Sequence, residues 1–76
     1  MAWYSTPHWA ARVGGEYPHN LSQVPMILPT QHSAARARID HWLERERIQP
    51  RIVGEFEDSA LLTTFGAAGM GVFLAR

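Results

Sequence analysis

The stretch Val24–Ile48, VPMILPTQHSAARARIDHWLERERI, decides the fold. Its first six residues, Val24–Pro29, are an apolar run bounded by prolines, which reads as a short strand buried on both faces with Pro25 at its start. Beyond it, Ala35, Ile39, Trp42 and Leu43 recur at i, i+4, i+7 and i+8, the stripe of an amphipathic helix over Ser33–Ile48. Arg36, Arg38, Asp40, Glu44, Arg45 and Arg47 occupy the other faces. Thr30 or Ser33 can supply the N-cap oxygen, Arg36 and Asp40 form an i,i+4 pair, and Pro50 lies just past the helix. A buried strand running straight into an amphipathic helix is the opening of an α/β unit.

The same grammar repeats downstream. Arg51–Glu57 (RIVGEFE) reads as a second strand, and Asp58 or Ser59 caps a second helix through Ala60, Leu61, Leu62 and Phe65. Gly66 or Gly69 ends that helix in a left-handed cap, and Gly71–Ala75 (GVFLA) reads as a third strand. The β-α-β-α-β order predicts an α/β fold with a short parallel sheet and right-handed crossovers. Upstream, Pro7, Gly14, Gly15, Pro18, Pro25 and Pro29 punctuate the chain every few positions. That spacing predicts a loose segment without helix, opened by a short strand at Ala2–Ser5.

Size and composition narrow the function classes. Seventy-six residues hold one domain at most. Seven basic residues, all Arg, balance seven acidic ones, so no charge footprint for nucleic acid or for an anionic membrane exists. The absence of Cys removes disulfides, thiolate zinc sites and Cys nucleophiles, and fits a reducing, cytoplasmic compartment. No apolar run approaches the ~20 residues that span a bilayer. The first 20 residues, with His8, Arg12, Glu16 and His19, do not resemble a signal peptide.

Two strand-to-helix turns could carry chemistry, because ligands of open parallel sheets bind beyond the carboxyl ends of the strands. The first, Pro29-Thr30-Gln31-His32-Ser33, offers hydroxyls, an amide, an imidazole and free helix N–H groups to an anion or a small polar molecule. Thr30 and Ser33 serve equally well there as caps alone. The second turn places Glu57 and Asp58 beside Ser59, an oxygen set able to hold a hard cation or to share a proton. An N-capping Asp58 and a solvated Glu55 account for the same residues structurally. His8, His19, His32 and His41 lack metal-ligand spacing, so no metal site is expected. Gly66, Gly69 and Gly71 follow a helix and precede a strand, the reverse of a dinucleotide-binding turn. No serine stands in a nucleophile elbow, so no catalytic residue is assigned. Trp3, Trp9 and Trp42 could form a stacking surface, with Trp42 better placed in the helix stripe as core.

Taken together, Leu28–Thr30 (LPT), the helix SAARARIDHWLERERI and Gly54–Gly66 (GEFEDSALLTTFG) resemble the effector-binding half of LysR-type transcriptional regulators. The resemblance runs over about Trp3–Ala75, and GEFEDSAL before the Phe-Gly helix end is its most specific part. Within the family it is nearest the NhaR-like branch, activators of a sodium/proton antiporter gene. The resemblance implies that residues 1–76 are most of the second of two Rossmann-like, periplasmic-binding-protein-like subdomains. It implies a small effector or ion, sodium included, held by the Pro29–Ser33 loop and the Glu57–Asp58 turn, and no other cofactor. It further implies a binding module and not an enzyme. Neither the first subdomain nor a helix-turn-helix is present, so DNA contact is expected from the parent regulator and not from these residues. A fragment of a periplasmic-type solute-binding protein, which shares the fold, is the rival reading. An unpaired sheet edge in so small a chain predicts marginal stability or self-association.

Overall fold

The computed structural model describes residues 2–75. Strand β1 (Ala2–Tyr4) leads to a one-turn helix α1 (Pro7–Ala10) and, after a loop, to a 3-10 helix at His19–Gln23. Then follow β2 (Pro25–Pro29), α2 (Ala34–Arg45), β3 (Arg51–Phe56), α3 (Ser59–Ala67) and β4 (Phe73–Ala75). The two short helices correct the expectation of a helix-free opening. Proline is a poor residue inside a helix but a good one at its first position, and Pro7 sits there, with the Ala11 N–H bonded to its carbonyl.

Strand β2 is the axis of the fold. It pairs parallel with β3, from Pro25 opposite Arg51 to Pro29 opposite Phe56, with a bulge between Met26 and Ile27. On its other side the expected parallel ladder to the last strand is only a bridge between Met26 and Val72. Ile27 N–H donates to the Val72 carbonyl and Val72 N–H to the Pro25 carbonyl, each at 2.9 Å. Further along this edge the next N–H that β2 could donate belongs to residue 29, and Pro29 has none. Strand β4 instead makes its ladder antiparallel with β1, pairing Ala2 with Ala75 and Tyr4 with Phe73. The α/β fold thus holds a parallel pair, β2-β3, and an antiparallel pair, β1-β4, linked by that bridge, where one short parallel sheet was expected.

Side chains alternate along β2, and the alternation divides the core. Met26 and Leu28 pack with Ile39 and Leu43 of α2 and with Val72. Ile27, pointing the other way, packs with Leu62 of α3 and Phe73. The helices thus cover opposite faces, the arrangement that opens a crevice at the carboxyl end of the sheet. Met26, Ile27 and Leu28 are fully buried, as an apolar run closed by prolines predicts.

Candidate functional site

The parallel register brings the two expected turns side by side. Pro29 ends β2 opposite Phe56 at the end of β3, and Thr30 N–H donates to the Phe56 carbonyl at 2.9 Å. From there the two turns are built differently. Ser33 N–H bonds the Thr30 carbonyl at 3.1 Å, and Ser33 Oγ accepts the Arg36 N–H at 3.0 Å as the N-cap of α2. Asp58 Oδ1 accepts the N–H groups of Ala60 and Leu61 at 2.7 and 3.2 Å as the N-cap of α3.

Arg36 holds the first turn from beneath. Expected on a solvent face, it is only 4% exposed. Its Nε donates to Asp40 Oδ1 at 2.8 Å, its Nη1 to the Pro29 carbonyl at 3.0 Å, and Glu55 Oε2 lies 3.5 Å from the same Nη1. One guanidinium therefore ties the end of β2 to α2 and to β3. Fork geometry allows this, since Arg carries several donors in one plane. The i,i+4 pair with Asp40 is legible in the spacing; the bonds to Pro29 and Glu55 join parts of the chain that spacing cannot connect.

Between these turns and the end of β4 lies a cleft of about 630 Å³. Of the expected residues, Pro29, Ser33 and Glu57 line it. Gln31 and His32 are exposed and Thr30 half-buried on the adjoining turn, outside the lining, and Asp58 is turned to its capping bonds. Ser59, read beside Glu57 and Asp58, lines it as well, and the cleft also takes in residues the sequence reading did not single out for the site: Arg38 and Ile39 from α2, Leu62 and Thr63 from α3, and Leu74 from β4. Arg38 had a signal, standing one turn before Trp42 at the border of the apolar stripe. Leu74 had none, because its place depends on how the last strand docks. Glu57 and Arg38 have no ion-pair or hydrogen-bond partner among the described residues. The cleft therefore offers an apolar floor, three hydroxyl-bearing residues at or near helix N-termini, one free carboxylate and one free guanidinium. Among the described residues no group of three or more His, Asp or Glu converges as a metal site. No helix among them is long and apolar enough to cross a membrane.

A sheet crevice flanked by two helix N-termini is a binding architecture, and comparison with known proteins gives it a family. The pattern of the LysR substrate binding domain matches residues 1–76. The chain belongs to that family. Among curated relatives, this LysR substrate-binding domain is 38% identical over 52 residues to the nitrogen assimilation regulatory protein nac of Escherichia coli (strain K12), covering 68% of this chain and 17% of that protein. It is 29% identical over 59 residues to the transcriptional activator protein NhaR of the same organism, covering 78% and 20%. The nac protein of Klebsiella aerogenes is 35% identical over 51 residues, covering 67% and 17%. The domain thus spans about a fifth or less of the length of the curated relatives it matches. No solved structure matches it significantly. The relatives' names are those of regulators, and the chain is a binding module and not an enzyme.

Proposed function

We propose that this chain is most of the second subdomain of a LysR-type effector-binding domain, and that its cleft forms one wall of the effector site of a multimeric cytoplasmic transcriptional regulator. One observation carries the reading: the carboxyl ends of β2 and β3 bring Ser33 and Glu57 into one crevice with Arg38, a cation with no ion-pair partner among the described residues. In this reading Ser33, Thr63 and the Pro29–Ser33 backbone contact the effector, while Gln31, His32 and Thr30 meet it from the rim when the other subdomain closes over the cleft. Asp58 acts by holding the α3 N-terminus in place.

The effector is a small polar organic molecule, favoured by the apolar floor with its sparse, unpaired polar groups. Its regulatory setting is one of two. Nitrogen assimilation follows the 38% identity to nac, and a sodium or alkaline response follows the 29% identity to NhaR together with the free carboxylate of Glu57. Amide NMR of the chain in sodium chloride against choline chloride at matched ionic strength separates them. Shifts confined to Glu57, Asp58 and Ser59 and specific to sodium support the NhaR-like setting; identical spectra remove it. A panel of small amino and carboxylic acids tests the site itself, with shifts expected at Ser33, Glu57 and Thr63 and lost in Glu57→Gln or Arg38→Gln. Binding that moves none of these amides would overturn the assignment of the cleft.

A further inference from the structure

On the face of β3 that Ile27 shares, the strand is bare at Gly54. A Cβ built there would lie 2.7 Å from Met70 Cε, 3.3 Å from Phe56 Cε1 and 3.4 Å from Ile27 Cγ2. The space over Gly54 is therefore taken by the end of the Met70 side chain, which lies across the strand beside the Phe56 ring. From this spot the contacts run into the effector cleft. The Phe56 ring stacks on Phe65, 5.4 Å centre to centre with 27° between the planes, and Phe56 lines the cleft. Met70 N–H donates to the Phe65 carbonyl at 3.1 Å, so Met70 is tied to the aromatic pair through its backbone and borders it with its side chain.

Exposure separates the sulfur atoms of the chain. It has no Cys and three Met. Met26 is fully buried, Met70 is 36% exposed, and Met1 lies outside the described residues. A thioether open to water meets a dissolved oxidant, and one sealed in a core is shielded. Oxidation turns a flexible apolar side chain into a polar, chiral one with an acceptor oxygen. The side chains bordering Gly54, a phenyl ring and an Ile27 methyl, cannot donate to that oxygen, so it must turn out to water. We propose that Met70 is a reversible oxidation site, at which a small peroxide converts the thioether to the sulfoxide, lifts the side chain off Gly54 and shifts Phe56 in the wall of the cleft. The sulfur lone pair attacks one peroxide oxygen, the O–O bond breaks, and the departing hydroxide takes up a proton as water. Sulfur is oxidised by two electrons and the peroxide reduced by two. A thiol-dependent reductase reverses the step, giving back the thioether with water and a disulfide of the thiol. The modification does not depend on what the cleft binds; its use as a control of effector binding rests on the effector reading.

The test uses the chain itself and hydrogen peroxide as the oxidant. Peptide mass mapping over time is expected to find one added oxygen on Met70 at a rate on the order of tenfold or more above Met26. Amide NMR of the oxidised chain is expected to show shifts at Gly54, Phe56 and Phe65 that reach Glu57 and Ser59, with the dispersion of the spectrum retained. Treatment with the two methionine sulfoxide reductases, one for each epimer, and a thiol returns the original spectrum. Met70→Leu keeps an apolar side chain that this chemistry leaves alone, and peroxide is expected to leave its Phe56 and Phe65 amides in place; the same variant accounts for whatever oxidation of Met1 contributes. Met70→Gln, polar and without sulfur, is expected to reproduce the shifts with no oxidant present. Oxidation of Met26 as fast as Met70, unmoved Phe56 and Phe65 amides after Met70 is oxidised, or the same shifts in peroxide-treated Met70→Leu would each overturn the proposal. Collapse of the whole spectrum on oxidation would overturn it too, by making Met70 a general stability contact. Each of these failures leaves ligand titrations of the reduced chain, and with them the effector reading, as they stand.

Discussion

The two strand-helix units, β2-α2 and β3-α3, have the same frame and different contents. Each helix starts on a side-chain cap, Ser33 or Asp58, and each closes with the same pair of bonds. In α2, Arg47 N–H reaches the Glu44 carbonyl at 3.0 Å and Ile48 N–H the Leu43 carbonyl at 2.9 Å. In α3, Gly69 N–H reaches the Gly66 carbonyl at 3.0 Å and Met70 N–H the Phe65 carbonyl at 3.1 Å. Both are Schellman endings. Between these ends the units diverge: the first is pinned by a buried guanidinium, the second seats a bare glycine on a phenyl ring. The backbone frame is thus set by local hydrogen bonding, while the rigidity of each turn depends on contacts between distant residues.

The largest effect is expected where the first unit differs most from the second. Arg36→Leu removes the bond to the Pro29 carbonyl and both carboxylate partners while keeping apolar bulk. Asp40 and Glu55 are each more than a third exposed, so they recover hydration and only the carbonyl is left unmade. A loss of about 2–3 kcal/mol is expected, read as a lower urea midpoint, with the largest amide shifts at Thr30–Ser33. A loss below about 0.5 kcal/mol, the range of ordinary surface changes, would mean that the guanidinium decorates the turn and does not hold it.

In the second unit the corresponding pin is an absence. Gly66 lies inside α3, and a methyl group there would come within 2.2 Å of the Phe73 ring. Phe73 is buried between α3 and the sheet, so Gly66→Ala must push the helix or the ring aside at a cost of about 2 kcal/mol. Phe73→Leu in the same chain relieves the overlap, and partial recovery of stability in the double variant would show that the two positions are coupled. Additive losses would place the cost in helix or core separately. Next in size is the cap: Asp58→Ala leaves two N–H groups without their acceptor and is expected to cost about 1 kcal/mol, a fall in Tm of about 4–8 °C for a domain of this size.

How much of this was legible follows from the range over which each feature is determined. The α2 stripe and the buried run Val24–Pro29 are local and follow from periodicity and residue type, which narrow the caps to Thr30 or Ser33 and Asp58 or Ser59 without choosing between them. The antiparallel docking of β4 on β1 joins the two ends of the chain, which no local pattern in either strand reveals. Of the two glycines that could stop α3, Gly69, at φ +96°, takes the left-handed position, and Gly66 is instead a contact surface for Phe73. At the candidate site, Ser33 and Glu57 were within reach of the reasoning because the ends of adjacent parallel strands come together. Arg38 had only its place at the border of the α2 stripe as a signal, and Thr63 and Leu74 had none, since their meeting requires both helices and the last strand to be placed.

The smallest effect tests the frame itself. If the two Schellman endings are equivalent, their left-handed residues should be exchangeable, yet one is Gly69 and the other Arg47, at φ +58°. A side chain in that conformation brings Cβ against the following carbonyl, at a cost of about 1–2 kcal/mol that glycine avoids. Glycine in turn has more freedom to lose on folding, which returns about half of the gain. Arg47 is exposed and has no ion-pair partner among the described residues, so nothing else is given up. Arg47→Gly is therefore expected to stabilise the chain by about 0.5–1 kcal/mol, raising the urea midpoint without changing its slope. The reverse change, Gly69→Arg, should cost about the same amount if the endings are truly alike. A neutral Arg47→Gly beside a costly Gly69→Arg would show that the α2 ending is held by the burial of Ile48 and Leu43 and not by its backbone turn.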